Sequence, residues 1–210
     1  MKFKVCGMKY NPTEVAKLHP DYMGFIFWEP SSRFFDAKIP DLPTTIKKVG
    51  VFVDATIEDI AQKVEQYGLR GVQLHGAESP ELCQSLKNRF PELEVIKVFT
   101  IKDSFNFELL APFEQVCDYY LFDTKGKLPG GNGYTFDWSI LEDYPSTKPY
   151  FLSGGIGPDS MGALKAFLSS VASKYCRVID VNSRFEIEPG LKNIEKLSEF
   201  KELLTNNHRP

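Results

Sequence analysis

The sequence predicts an α/β protein, a single (βα)8 TIM barrel in which outer helices surround a closed parallel sheet. Short apolar, β-rich segments alternate with amphipathic segments along the whole chain, an order typical of parallel strands joined by right-handed crossovers. Eight strand-like segments can be recognised in the sequence. Eight repeats within 210 residues suit a compact closed barrel better than an open doubly wound sheet.

The strands are predicted from runs of apolar, β-branched and aromatic residues. In chain order the eight runs cover residues 2–6, 23–27, 48–53, 71–75, 94–99, 118–123, 150–153 and 177–181. Clear helix signals, such as a capping residue followed by proline or apolar residues at helical spacing, are found between the runs. These helices begin at or cover residues 11–12, 56–67, 79–82, 158–171 and 193–204. Weaker helix signals occur at residues 41–47, 105–112 and from 137 onward.

Composition predicts one cytoplasmic catalytic domain over residues 1–205, followed by a tail at 206–210. The four cysteines are far apart without a C-x-x-C pair, which argues against a disulfide framework and a zinc site and favours reduced thiols. The first residues are too polar for a secretory signal, and no apolar run approaches the roughly 20 residues that span a bilayer. A net charge of -3 gives no reason to expect nucleic acid or membrane partners. We expect a monomer or homodimer that needs no cofactor.

Two polar residues at strand ends are the candidate catalytic groups, because active sites of such barrels lie where strands end. Cys6 ends the first strand, and Gly7 leaves room above it. Cysteine is commonly a small buried hydrophobe, but this placement favours function. Asp123 ends the sixth strand, where a carboxylate is unusual, although it could also be a helix cap or a loop carboxylate. An apolar surrounding would raise its pKa and suit it to donate a proton.

Candidate binding residues follow the second, fourth, seventh and eighth strands. Gly154 and Gly155 after strand seven, with Asn182 and Ser183 after strand eight, fit the phosphate site common in these barrels. Arg33 could hold a carboxylate through a bidentate contact, although a solvated loop arginine is the commoner outcome.

Gln73 and His75 share one face of strand four, so an inward-facing pair would reach the barrel mouth. His75 could equally be a hydrogen-bonded core histidine. The polar, glycine-rich residues 130–133 follow the strand that carries Asp123, and they could form a lid that excludes water or simply a linker.

The chain resembles the phosphoribosylanthranilate isomerase family over nearly its whole length. The resemblance depends on the order and spacing of eight short segments, at residues 4–8, 24–27 with 31–33, 49–53, 72–76, 121–124, 130–133 through 136–138, 152–155 and 180–183. It implies an Amadori rearrangement of N-(5-phosphoribosyl)anthranilate to the 1-deoxyribulose isomer. In that reaction Asp123 would protonate the ribose ring oxygen as general acid, and Cys6 would remove the C2 proton as general base.

The resemblance also implies the binding roles. Arg33 would hold the anthranilate carboxylate, and the phosphate would lie at Gly154, Gly155, Asn182 and Ser183.

Three positions depart from the family pattern, namely Ser32, Asn132 and Arg184 in place of proline, threonine or serine, and glycine. If residue 184 needs a positive φ, arginine would cost about 1 kcal/mol or more there; alternatively, its guanidinium could add charge to the phosphate site. Two other functions remain open, a related phosphosugar isomerase such as the histidine-pathway ProFAR isomerase, and a barrel that binds phosphorylated ligands without turnover. ProFAR-type enzymes use two aspartates, whereas the first strand here ends in cysteine.

Overall fold

A computed structural model describes residues 1–124 and 137–206. Eight parallel strands pair in sequence order, and β8 pairs with β1 to close the barrel. The strands are Lys2–Val5 (β1), Tyr22–Ile26 (β2), Lys47–Phe52 (β3), Gly71–Leu74 (β4), Glu94–Ile101 (β5), Tyr119–Thr124 (β6), Tyr150–Leu152 (β7) and Cys176–Val181 (β8). The predicted fold class is therefore confirmed, with each strand within three residues of its predicted bounds.

The α-helices outside the barrel are Pro12–Ala16 (α1), Ile57–Tyr67 (α2), Pro80–Arg89 (α3), Met161–Leu168 (α4) and Ile194–Asn206 (α5). In α2 and α3 the Thr56 and Ser79 hydroxyls accept hydrogen bonds from the backbone N–H three residues on, which satisfies groups that a helix start leaves unpaired. Asn11 stands at the start of α1 as predicted but makes no capping bond. Its side chain instead pairs with the backbone N–H and carbonyl of Lys192, both at 2.9 Å.

The weaker helix predictions were only partly correct. Residues 41–46 form no helix but an irregular segment and a turn that lead into β3, because Pro40 and Pro43 fix an extended backbone and remove hydrogen-bond donors. Phe107–Phe113, which contains Pro112, and Trp138–Asp143 are 3-10 helices. The single helix predicted at 158–171 is divided into a 3-10 turn, α4 and part of a second 3-10 segment.

An antiparallel hairpin after β8 lies outside the (βα)8 repeat and was not predicted. It consists of Glu186–Glu188 (β9) and Leu191–Lys192 (β10). The Asn11 contacts described above hold β10 against the loop that follows β1. The hairpin therefore sits beside the end of the first strand, where Cys6 lies.

The interior of the barrel is layered. One buried cluster comprises Tyr22, Val49, Ile96, Val98, Leu121, Phe151 and Val178. The side chains that alternate with these along the strands belong to the larger cluster between sheet and helices, so the smaller cluster fills the barrel itself. Lys4 on β1, Gln73 on β4 and Asp180, two residues beyond Val178 on β8, add a buried polar layer to this apolar filling.

Two predictions fall wholly or largely beyond these residues. The proposed lid at 130–133 lies outside the described part of the chain. The proposed tail at 206–210 does too, except for Asn206, which ends α5. No helix within the described ranges is long and apolar enough to cross a membrane.

Candidate active site

A buried ion pair lies beneath the mouth of the barrel. The Lys4 ammonium on β1 donates to Asp180 Oδ2 on β8 at 2.6 Å and to Gln73 Oε1 on β4 at 2.5 Å. All three residues are at most 3% exposed. Burial by itself would lower the pKa of Lys4, but Asp180 and Cys6 outweigh it and raise that pKa. Lys4 is therefore a cation in a water-excluded layer.

The Cys6 thiol lies two positions beyond Lys4 on the same inward face and is 5% exposed. Two glycines make its surroundings possible. A Cβ atom at Gly24 on β2 would lie 2.7 Å from the Cys6 sulfur. Gly7 has a φ of 73°, and a Cβ atom there would lie 2.5 Å from Asn182 Oδ1 and 2.8 Å from Arg33 Cδ. The glycine after Cys6 thus lets two predicted binding residues approach the backbone next to the thiol.

The charges around Cys6 compete. Burial raises the pKa of the thiol, Lys4 lowers it, Asp180 raises it, and Lys192 lowers it again. The net pKa lies above the ordinary cysteine value. Without the two lysines the thiolate would be still less accessible, because a lone anion in a buried site has no counter-charge.

Asp123 lies across the barrel near the end of β6, next to Thr100 of β5. Its Oδ2 is 3.4 Å from His75 Nε2, and both side chains are partly exposed, at 23% and 34%. Asp123 adds to the burial that raises the pKa of Asp180, against the opposing effect of Lys4. His75 also contacts Gln73 at 3.3 Å, and Gln73 accepts from Lys4, so Asp123 borders the same polar layer as Cys6.

Arg33 is held in an ion pair with Glu186 and is not a freely solvated loop arginine. Its Nε lies 2.9 Å from Glu186 Oε1, and its Nη2 lies 2.6 Å from Glu186 Oε2. Lys192 donates to Glu186 and to Asn182, each at 2.7 Å. Burial alone would raise the pKa of Glu186, but Arg33 and Lys192 hold it below its usual value. Glu186 is thus an anion that fixes two cations beside Cys6.

The loops after β7 and β8 carry the predicted phosphate residues. Gly154 and Gly155 have φ values of 89° and 66°, a region that favours glycine, and the absence of a side chain allows a ligand to approach the backbone closely. Because β7 and β8 are adjacent, these glycines lie on the loop next to the one that holds Asn182 and Ser183.

Arg184 does not need a positive φ. It lies in the 3-10 turn Ser183–Phe185, and the positive-φ residues other than glycine in the described ranges are His19 and Asp54. The expected strain is therefore absent. Its Nη2 donates to Asp159 Oδ2 at 2.6 Å, which ties the loop after β8 to the segment after β7.

Four charged residues of this site were missed by sequence reasoning, namely Lys4, Asp180, Glu186 and Lys192. The alternation of side chains along a strand could have found the first two, because Lys4 precedes Cys6 by two positions and Asp180 precedes Asn182 by two. Glu186 and Lys192 belong to the hairpin and carry no such periodic signal.

Fold and site together define a (βα)8 barrel of the enzyme type, with a thiol and a carboxyl group at strand ends and the cations Arg33 and Lys192 beside the thiol. The chain matches the sequence model of N-(5'phosphoribosyl)anthranilate (PRA) isomerase over residues 4–202. It therefore belongs to the N-(5'-phosphoribosyl)anthranilate isomerase family, as the resemblance predicted. The predicted isomerase function is confirmed with it and is favoured over the ProFAR-type alternative.

Relatives and solved structures agree with this assignment. A relative of that name from Parabacteroides distasonis is 45% identical over 208 residues, which are 95% of this chain and 91% of the relative. One from Phocaeicola vulgatus is 40% identical over 195 residues, 92% of each chain. The crystal structure of phosphoribosyl anthranilate isomerase from Thermotoga maritima has a TM-score of 0.82 at 28% identity, over 98% of this chain and 99% of that one.

A further solved structure carries a ligand. It is phosphoribosyl anthranilate isomerase in complex with reduced 1-(o-carboxyphenylamino)-1-deoxyribulose 5-phosphate. It has a TM-score of 0.75 at 26% identity and covers 98% of this chain and 99% of that one.

Proposed function

We propose that this chain isomerises N-(5'-phosphoribosyl)anthranilate with Cys6 as general base and Asp123 as general acid. The observation that carries the assignment is the position of the two groups at either end of one buried polar layer. Cys6 lies two positions beyond Lys4, whose ammonium bonds Asp180 and Gln73, and Gln73 leads through His75 to Asp123 on β6. A thiol and a carboxyl group on different strand ends can act on different atoms of one sugar.

The chemistry requires proton movement alone. Asp123 gives a proton to the ribose ring oxygen, the C1–O bond breaks, and a Schiff base forms between C1 and the anthranilate nitrogen. The Cys6 thiolate then takes the proton from C2, which yields an enolamine that becomes the C2 ketone as C1 gains a proton. One carbon is oxidised and its neighbour reduced within the substrate, so an acid and a base suffice.

The thiolate form of Cys6 depends on the lysines beside it. Lys4 approaches from β1 and Lys192 from β10, and both lower the pKa of the thiol. Burial opposes them, which keeps the thiolate a strong base once it forms. A base of this kind can remove a weakly acidic proton from carbon.

Arg33 and the glycine loops provide the binding groups in this proposal. The Glu186 contacts use Arg33 Nε and Nη2, so Nη1 is the edge that we propose meets the anthranilate carboxylate. Gly154, Gly155, Asn182 and Ser183 would hold the phosphate. The liganded relative supports the proposal, because its ligand combines a carboxyphenyl group with a phosphate.

Substitution of the two proposed catalytic groups tests the assignment. Cys6→Ser and Asp123→Asn should each lower kcat by about 10²-fold or more, the scale usual for positioned acids and bases. Turnover is measured by the loss of substrate fluorescence. Cys117→Ser, where a hydroxyl can replace the thiol that donates to the Phe113 carbonyl, and Asp143→Asn are matched controls that should retain activity. Near-normal turnover in either catalytic variant would remove that residue from its role.

Two other expectations stay predictions. Light scattering of the purified chain decides between a monomer and a homodimer. Fractionation of the source cells decides whether the chain is cytoplasmic.

A further inference from the structure

A line of polar side chains runs through the interior of the barrel from Lys4, which neighbours Cys6, to Asp123. Cys6 interacts with the Lys4 ammonium, which donates to Gln73 Oε1 at 2.5 Å. Gln73 Nε2 lies 3.3 Å from His75 Nδ1, and His75 Nε2 lies 3.4 Å from Asp123 Oδ2. The line therefore begins beside the thiol and ends at the carboxyl group.

The first contact fixes the direction of all the others. An ammonium group has donors and no acceptor, so Gln73 must present its carbonyl oxygen to Lys4. Its amide N–H then faces His75, and Nδ1 must accept that hydrogen bond. A neutral imidazole with Nδ1 as acceptor carries its proton on Nε2, and Nε2 is the nitrogen beside Asp123.

The opposite orientation of the Gln73 amide is costly because the buried polar layer excludes water. Lys4 is fully buried and Gln73 is 3% exposed. A reversed Gln73 amide would point N–H groups at the ammonium, and buried polar groups left without partners are strongly disfavoured. Asp180 holds Lys4 on its other side at 2.6 Å, so the ammonium cannot turn away.

We infer that Lys4 and Gln73 are positioning residues that lock His75 in the Nε2–H tautomer and thereby orient Asp123. The inference deepens the proposed function, on which the acid role of Asp123 rests. With Nε2–H directed at Oδ2, that oxygen is an acceptor, so the acid proton resides on Oδ1 and can face the substrate. A neutral His75 also stabilises the carboxylate that remains after proton donation without taking the proton itself.

Nitrogen NMR of the full-length, ¹⁵N-labelled protein tests the lock directly. Long-range proton–nitrogen correlations distinguish a protonated ring nitrogen from an unprotonated one. The chain has three histidines, and His75→Gln identifies the His75 signals by their loss. At neutral pH we expect His75 with a protonated Nε2 and an unprotonated Nδ1. A protonated Nδ1 in the unsubstituted protein would overturn the inference.

Two substitutions at Gln73 sharpen the test. Gln73→Met removes the amide at nearly the same length, so we expect both tautomers of His75. Gln73→Glu places a carboxylate at His75 Nδ1, so we expect His75 as an imidazolium held between residue 73 and Asp123. The other charged groups facing residue 73 are Lys4 and, beyond it, Asp180. A single Nε2–H tautomer in Gln73→Met would contradict the lock. Gln84→Glu on α3, whose side chain bonds Asn88 on the exposed helix surface, is the matched control and should leave His75 unchanged.

Kinetics separate the positioning role from a structural one. The structure gives Gln73 the partners Lys4 and His75, so we treat it as a positioning residue in place of the substrate-binding role predicted from the sequence. Gln73→Met should then lower kcat about tenfold with little change in KM. If the tautomers mix while kcat stays the same, Gln73 does not position Asp123 and the inference fails. Because the tautomer is read without turnover, its outcome is independent of the Asp123→Asn result that decides the proposed function.

Discussion

Glu186→Gln removes the anion that holds two cations in place beside Cys6. In the structure, Oε1 accepts from Lys192 Nζ at 2.7 Å and from Gly190 N at 3.1 Å, and Oε2 accepts from Arg33 Nη2 at 2.6 Å. Arg33 Nε lies within 3.0 Å of both oxygens. Donors therefore face each oxygen, so the amide nitrogen of glutamine meets at least one donor in either orientation.

The structure sets the size of the expected effect. Breaking a buried ion pair costs about 3–5 kcal/mol, and a hydrogen bond to a charged group contributes about 1.5–3 kcal/mol. Glutamine retains one acceptor, so we expect a loss near the lower bound, about 3 kcal/mol of unfolding free energy at neutral pH. Arg33 also loses its anchor, so KM should rise.

The pH dependence of the lost unfolding free energy shows whether the loss comes from the charge of Glu186 or from altered packing. Glu186 has a lowered pKa in the folded state, so its contribution is fully present above the unfolded value of about 4.3 and disappears as pH falls through the folded value. The difference between the native protein and the variant, measured by urea unfolding at about pH 7 and about pH 4, should narrow at the lower pH.

A matched variant lies on the same hairpin. Glu188→Gln changes an exposed residue of β9 and should alter stability by less than about 0.5 kcal/mol. An equal deficit for Glu186→Gln at both pH values, or one below about 1 kcal/mol, would refute the argument that Glu186 is a buried anion supporting Arg33 and Lys192.

Three further outcomes are expected. In the proposed role Cys6 acts deprotonated, and burial raises its pKa, so kcat/KM should climb with pH along a limb centred above the ordinary cysteine value of about 8.5; a limb below that value would mean that another group is the base. Arg33→Ala should raise KM about 10-fold or more with kcat within a few-fold, and unchanged saturation curves would exclude it from carboxylate binding. Arg184→Gly breaks an exposed ion pair with Asp159 and should cost less than about 1 kcal/mol by thermal unfolding; a larger loss would show that the loop tie is structural.

The strands were predictable because a parallel barrel strand is buried on both faces and reads as a short apolar run. The helices were less predictable from the sequence. At residues 41–47 the composition allows a helix, but the two prolines nearby favour a turn into β3. At Phe107–Phe113 and Trp138–Asp143 the chain forms 3-10 turns, which have a different period from the α-helix. Periodicity alone does not separate these outcomes.

The residues of the site also differ in how well the sequence predicts them, and the difference depends on whether a strand or another segment carries the residue. Cys6 and Asp123 could be placed from the rule that function lies at strand ends, and the period of two that joined Gln73 to His75 also joins Lys4 to Cys6. Arg33 could be proposed as an anion-binding residue from its chemistry, but its partner comes from a hairpin that follows the last strand. That hairpin is held by Asn11, about 180 positions away, through contacts that neither segment signals on its own. Side chains that the alternation along a strand places at the site can therefore be predicted from the sequence. Glu186 and Lys192 can be recognised as site residues only in the folded barrel, where the two ends of the chain lie together.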